Sequence, residues 1–122
     1  MIKNYALILL ISLSAILSGC YLEKEQQSEK EVALVIKSIG NTTTEKFNVM
    51  DANALQILMQ KHNVELTKNN FIKCIDSVCV KNEYSWTFYV NNKFVLSSAD
   101  KYYPKDNDVL EFRFGKLGGD LK

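Results

Sequence analysis

An alternating stretch in the second half of the chain constrains the fold more than any other feature of the 122-residue sequence. The stretch reads YSWTFYV over residues 84–90. Because successive side chains of a β-strand point to opposite faces, it predicts a strand whose core face carries Tyr84, Trp86, Phe88 and Val90. The other face, with Thr87 and Tyr89, is expected to meet solvent. Asn91 and Asn92 follow, and both tolerate the positive φ of a two-residue turn, so the strand is expected to fold back at once.

Further strands and one helix are predicted around this hairpin. The apolar and β-branched runs at 32–39 and 45–50 predict two paired strands, and a last strand is expected at 108–114. Between them a helix is predicted over 52–62, with Asp51 as its N-cap. The apolar stripe of this helix would consist of Leu55, Leu58, Met59 and His62. One helix packed on one mixed sheet is an α+β architecture of the β-grasp type.

Two cysteines flank a bend in the segment FIKCIDSVCV. Cys74 and Cys79 lie on either side of Asp76 and Ser77, which are expected to form the bend. Three interpretations are open: a structural disulfide, a redox-active pair, or a zinc site with His62 as a third ligand. Two cysteines this close favour the disulfide outside the cytoplasm. The redox-active pair is less favoured, since four residues separate the thiols where the redox motif has two.

The first 20 residues, MIKNYALILLISLSAILSGC, have the pattern of a prokaryotic lipoprotein signal. The apolar run after Lys3 is shorter than the about 20 residues that span a bilayer, and it ends in a lipobox-like Leu-Ser-Gly-Cys. Residues 1–19 are therefore predicted to be a signal peptide, and Cys20 to carry lipid such as palmitate. Residues 20–31 would then be a polar tether that holds the domain on a cell membrane or envelope, outside the cytoplasm. An ordinary secretory signal or an uncleaved anchor are the alternatives.

Several of these stretches together resemble the transcobalamin-like C-terminal domain, a β-grasp family of unknown function in most microbial members. The family typically has a helix after a Val-x-Asp-Ala-Leu-like start, a Trp-x-Phe-Tyr-Val-Asn-Gly strand and turn, an Ala-Asp-x-Tyr segment and a Gly-Asp before the last strand. The matching stretches of this sequence are 49–52, 86–92, 99–102 and 106–108. The resemblance implies a domain over residues 32–115, followed by a frayed tail at 116–122.

The sequence departs from the family pattern at two turns. Asn92 and Asn107 stand where the family usually has Gly, and Asn is expected to preserve both turns.

The resemblance also implies a partner. In vertebrate cobalamin carriers a domain like this lies over the corrinoid, as the smaller half of a two-domain clamp. A corrinoid-like small molecule is therefore the ligand that the resemblance implies.

The sequence thus predicts a lipid-anchored, non-catalytic binding module for a small molecule. Its candidate ligand or partner surface consists of Asp76, Ser77, Tyr84 and Trp86. Trp86 is expected to lie largely in the core and to expose an edge of its ring. The alternative is a protein–protein interaction or scaffold module of an envelope complex.

Other classes of function find little support in the composition. A hydrophobic content of 47% and a charged content of 24% are typical of a globular domain, and a net charge of +1 without a basic stripe argues against nucleic acid as a partner. His62 is interpreted as a helix-end residue at the edge of the core rather than a catalytic base or metal ligand. Ser97 and Ser98 have no neighbouring histidine in the sequence, so no enzymatic activity, cofactor or metal is expected.

Overall fold

The computed structural model describes residues 28–116. The predicted signal peptide, Cys20, the tether up to residue 27 and the tail beyond Lys116 lie outside the described residues. In the described part of the chain, no helix is both long enough and apolar enough to cross a bilayer.

The described residues form strands, one α-helix and one 3-10 turn. The elements in chain order are β1 (Lys30–Ser38), β2 (Asn41–Val49), α1 (Ala54–Met59), β3 (Val64–Leu66), β4 (Ile72–Ile75), β5 (Val78–Cys79), β6 (Tyr84–Val90), β7 (Lys93–Val95), the 3-10 turn (Ala99–Lys101) and β8 (Val109–Lys116). The α+β class is confirmed. β1 begins inside the segment that was expected to be a tether.

A mixed five-stranded sheet forms the centre of the molecule, with the strand order β2-β1-β8-β6-β7. β1 runs antiparallel to β2 and parallel to β8, and β6 runs antiparallel to both β7 and β8. The last described strand, β8, therefore lies in the middle of the sheet between the first strand and the aromatic strand. Its Phe112 is opposite both Ile36 and Phe88.

The alternation in β6 has the predicted consequence for its later residues, whereas Tyr84 at the start of the strand is 40% exposed. Phe88 and Val90 are buried, and Trp86 packs against the core while staying half-buried. The rings of Phe88 and Phe112 stack with their centroids 4.9 Å apart. Asn91 and Asn92 both have positive φ, 51° and 66°, as the predicted two-residue turn requires.

The helix is shorter than predicted and begins at another residue. Asn53, not Asp51, is the N-cap: its side chain accepts a hydrogen bond from the Gln56 backbone N–H at 2.8 Å, and the Gln56 side chain accepts one from the Asn53 N–H at 2.9 Å. This reciprocal capping box fixes the first turn two residues later than expected. The last residue of α1, Met59, is 48% exposed, and His62 lies beyond the helix.

A second, three-stranded sheet with the order β3-β4-β5 covers the same face of the large sheet as α1. β3 was not predicted from the sequence. Cys74 and Cys79 are directly opposite each other on β4 and β5, and a disulfide joins them. The tight turn between these strands consists of Asp76 and Ser77, with positive φ of 47° and 72°.

The face of the large sheet that points away from α1 is polar, but Tyr89 on this face is not exposed to solvent. The expectation that Tyr89 meets solvent is wrong, because its side chain is buried under two neighbours. The guanidinium of Arg113 lies 3.8 Å from the centre of the Tyr89 ring, and the Phe94 ring contacts it edge-on at 5.6 Å. Arg113 also pairs with the buried Glu111, to which Lys37 lies within 3.6 Å.

Candidate functional site

Trp86 lies at the boundary between two cavities on the helix-covered face. β6 directs the ring inward, where it packs 5.1 Å from the Phe114 ring. Its indole N–H donates to the carbonyl oxygen of Val78 on β5 at 2.8 Å. One side of the residue borders a cleft toward β7, and the other borders a pocket toward the β4–β5 turn. Trp86 is therefore both a core residue and a cavity wall.

The apolar cleft, as we call the first cavity, has a volume of about 100 Å³. Its floor is formed by Trp86, Phe88 and Phe112, which the alternation of β6 and β8 places on one face of the sheet. One wall is the segment 70–72, which leads into β4, and the other is the segment 94–99, which leads from β7 into the 3-10 turn.

Large apolar side chains remain exposed along the rim of this cleft. Leu96 is 84% exposed, Phe71 is 50% exposed and Phe94 is 41% exposed. Single exposed apolar residues are ordinary on protein surfaces, but three around one cavity form a patch of the kind that marks binding sites. The sequence prediction missed this patch. Leu96 carried the available signal, because it is a bulky apolar residue that continues past the end of β7.

Hydrogen bonds join the two walls of the cleft. The Asn70 side-chain amide on one wall donates to the Asp100 carboxylate in the 3-10 turn at 3.2 Å. The Ser98 hydroxyl on the other wall also donates to Asp100. These bonds hold both walls of the cleft to one carboxylate.

The turn pocket, as we call the second cavity, has a volume of about 180 Å³ and lies between the β1–β2 hairpin and the β4–β5 turn. His62 and Asp76 contribute its ionisable groups, and Ser38, Asn41 and Thr43 are its uncharged polar residues.

His62 is held between two carboxylates in this region. Its Nδ1 lies 2.5 Å from an Asp76 oxygen, and its Nε2 lies 2.9 Å from a Glu45 oxygen. Burial of the ring lowers the pKa of His62, but the hydrogen bonds and charges of Asp76 and Glu45 outweigh burial, so the pKa lies above its ordinary value. Burial likewise raises the pKa of Asp76, but the bonds from His62 and from the Asn63 N–H outweigh burial and lower it.

The predicted surface residues do not form one site. Asp76 and Trp86 both border the turn pocket. Tyr84 is 40% exposed and borders a different depression, the end pocket, of about 380 Å³, together with Phe114. Ser77 is exposed at the tip of the β4–β5 turn. The structure therefore joins two of the four residues and separates the others.

The cysteines are not brought together with His62. Among the described residues, the metal-ligating side chains whose donor atoms lie within 4.8 Å of one another are Glu65, Cys74 and Cys79. Glu65 is opposite Cys74 across β3 and β4. Both sulfurs are used in the disulfide, whereas the thiolate is the form of cysteine that binds metal. The three side chains therefore form contacts between the neighbouring strands β3, β4 and β5.

Comparison with known structures finds the same fold elsewhere, in 17 matching chains. Haptocorrin in complex with Cbi is similar with a TM-score of 0.65 and 17% identity, covering 75% of this chain and 26% of the haptocorrin chain. The chain thus corresponds to about a quarter of haptocorrin. This likeness supports, for the fold, the resemblance to the transcobalamin-like domain.

A protein from Ruminococcus gnavus ATCC 29149, described as a "putative metal binding protein", is also similar. The TM-score is 0.62 at 17% identity, with 72% of this chain and 98% of that one covered. Among curated proteins the sequence has no match.

A family model matches residues 47–116, which include α1 and the strands β3 to β8. This match covers more than half of the chain and all walls of the apolar cleft. The chain belongs to the family described as Domain of unknown function (DUF4430).

Proposed function

We propose that this chain is a non-catalytic module that binds a small molecule in the apolar cleft and is held at a membrane by acylated Cys20. The observation that carries the proposal is the exposed apolar rim, Phe71, Phe94 and Leu96, around a floor of three aromatic rings. Ligand sites are typically apolar concavities with a few polar groups, and Asn70, Ser97 and Ser98 supply such groups here.

The size of the cleft limits how a ligand is held. Drug-sized ligands occupy cavities of roughly 300–1,000 Å³. At about 100 Å³ the apolar cleft accommodates one edge or one side group of a ligand, while the exposed rim covers an adjoining apolar face. A broad, flat molecule such as a corrinoid suits this arrangement, and the likeness to haptocorrin with Cbi supports that class. A second protein domain would then cover the remaining face of the ligand.

We also propose that the fold is of the β-grasp type and that the module is not an enzyme, and one structural detail supports each point. Packing of α1 against a mixed five-stranded sheet supports the β-grasp type. The one histidine of the chain has both ring nitrogens bound by carboxylates, so it is not aligned with a serine or cysteine nucleophile.

The binding proposal can be tested with the full lipidated chain in detergent. Equilibrium dialysis measures a corrinoid, and a fluorescence titration measures anilinonaphthalene sulfonate, an apolar dye. Leu96→Ser should weaken binding about tenfold or more, because burying a leucine side chain contributes roughly 1.5–3 kcal/mol. Ile39→Ser is the matched control, because Ile39 is similarly exposed, at 74%, but borders the end pocket. No binding of either compound, or an equal loss in both variants, would refute the cleft as the site.

The anchor requires a separate measurement. Mass spectrometry of the protein from membranes should find an acylated Cys20 at the amino terminus. Cys20→Ala should leave the protein unacylated and release it from the membrane fraction. An unmodified Cys20 on a membrane-associated protein would contradict this part of the proposal.

An interaction module remains the second candidate, and the edge of the large sheet favours it. β2 is an outermost strand in the order β2-β1-β8-β6-β7, and all four of its residues from Asn41 to Thr44 are exposed. Such an edge can accept an added strand from a partner. Crosslinking through a photoreactive residue at position 42 should then trap one defined partner, whereas position 96 should not.

A further inference from the structure

His62 forms a bridge that needs a proton. Both ring nitrogens lie within hydrogen-bond distance of carboxylate oxygens, which only accept hydrogen bonds when ionised. A neutral imidazole has a single N–H, so it can donate to only one of them. Both bonds exist together only when the ring is an imidazolium with two donors.

The bridge joins a strand of the large sheet to the segment after α1 and to the β4–β5 turn. Glu45 belongs to β2 of the large sheet, His62 follows α1, and Asp76 begins the β4–β5 turn. Asp76 is tied a second time to the chain after α1. Its carboxylate accepts from the Asn63 N–H at 2.9 Å, and its own N–H donates to the Asn63 carbonyl at 2.8 Å.

The β4–β5 turn connects this bridge to the apolar cleft. The disulfide between Cys74 and Cys79 closes the turn, so Asp76 and Val78 belong to one short covalent loop. Val78, inside that closed loop, accepts the indole hydrogen bond of Trp86 at 2.8 Å. Trp86 is part of the floor of the cleft. A continuous series of contacts therefore leads from His62 to the proposed ligand site.

We propose that protonation of His62 clamps the β4–β5 turn against β2 and thereby holds Trp86 in its binding position, so that the apolar cleft binds its ligand more tightly at mildly acidic pH. This inference rests on the proposed function of the cleft. In the clamped state the imidazolium donates to Glu45 and Asp76. On deprotonation one of the two bonds is lost, so the ring no longer joins the Asp76 carboxylate of the turn to the Glu45 carboxylate of β2.

The charges around His62 set the direction of this effect. The carboxylates on it are Glu45 from β2 and Asp76 from the turn, while the described residues from β1, β5 and β6 in the turn pocket are uncharged. The ammonium group of the adjacent Lys61 lies over the Phe47 ring at 5.3 Å. Because the pKa of His62 is raised above 6.5 by its partners, the clamp is complete below that value and is lost as the pH rises through the folded-state pKa.

The first experiment follows the clamp without any ligand. The chain has one histidine and one tryptophan, so Trp86 emission reports on a single indole and His62 is the only imidazole that titrates. Between about pH 5.5 and 8.5 the emission of the full lipidated chain in detergent should change with a midpoint above the ordinary histidine value. His62→Gln should abolish the change, and Glu45→Gln should lower the midpoint. Circular dichroism establishes that each variant is folded.

The second experiment measures binding of anilinonaphthalene sulfonate, whose sulfonate stays ionised throughout this range. Affinity should fall about five- to tenfold from the acidic to the alkaline limit, at the lower end of typical couplings between two sites. His62→Gln should remove this dependence.

The outcomes separate the two proposals. A flat Trp86 emission in the folded protein would overturn the clamp. So would pH-independent dye binding that is sensitive to Leu96→Ser, and in that case the cleft would still stand as the site. A titrating Trp86 without binding of dye or corrinoid would instead sink the proposed function and leave the clamp intact.

Discussion

Asp108 shows how much structure one buried carboxylate organises. It is 6% exposed and accepts hydrogen bonds from the Tyr102 hydroxyl at 2.5 Å, the Lys105 N–H at 2.8 Å and the Asn91 side chain at 2.8 Å. Burial and the bond to Asp108 raise the pKa of Tyr102 to about 12. Asn91 was predicted from its tolerance of positive φ, but its amide also links the β6–β7 turn to the start of β8 through Val109.

At the residue scale we expect Asp108→Ala to lower the free energy of unfolding by about 2 kcal/mol or more, since it leaves three donors without their buried acceptor. Asp106→Ala is the matched control in the same loop. Its carboxylate accepts one exposed hydrogen bond, from the Glu31 N–H, so the loss should stay below about 1 kcal/mol. Urea unfolding followed by Trp86 emission measures both. Equal losses would contradict the network.

The same variant should change the response to acid. Burial raises the pKa of Asp108, but its hydrogen bonds outweigh burial and lower it. The contribution of Asp108 is therefore present above the unfolded-state pKa of about 3.9 and is lost as the pH falls through the lower folded-state value. Stability between about pH 7 and 2 should consequently fall less steeply in Asp108→Ala than in the unaltered protein.

At the scale of elements, the helix start illustrates what the sequence could and could not predict. Asp51 and Asn53 are both good N-cap residues, and only the second is followed three positions later by a glutamine that can close a capping box. We expect Asn53→Ala to cost about 1 kcal/mol in unfolding free energy, whereas Asp51→Ala should be close to neutral. Urea unfolding distinguishes them, and a larger loss in Asp51→Ala would restore the original assignment.

Elements with a strong local pattern were predictable, and those defined by distant contacts were not. The alternation around Trp86 and the two asparagines after it located β6 and its turn, because period two and positive φ are local properties. β3 has three residues and exists through pairing with β4, so no window of the sequence revealed it. The bridge of His62 to Glu45 and the cleft around Leu96 likewise depend on how separate elements pack.

At the scale of the whole molecule, the central position of β8 determines where the fold is vulnerable. Phe112 is fully buried at the centre of the large sheet, while Phe94 is 41% exposed on the edge strand β7. Phe112→Ala should cost about 3–5 kcal/mol and Phe94→Ala about 1 kcal/mol or less, although both remove the same ring. Thermal and urea unfolding test this. Similar losses would mean that the core does not centre on β8.

The parallel pairing of β1 with β8 also has a consequence for biogenesis. Ala33 of β1 pairs with Val109 of β8, so one of the two strands next to β1 comes from the end of the domain sequence. A nascent polypeptide that emerges amino end first can close the β1–β2 hairpin early, yet it has to wait for nearly the entire domain before the sheet is complete. We therefore expect the domain to gain its stable fold only after β8 has been synthesised.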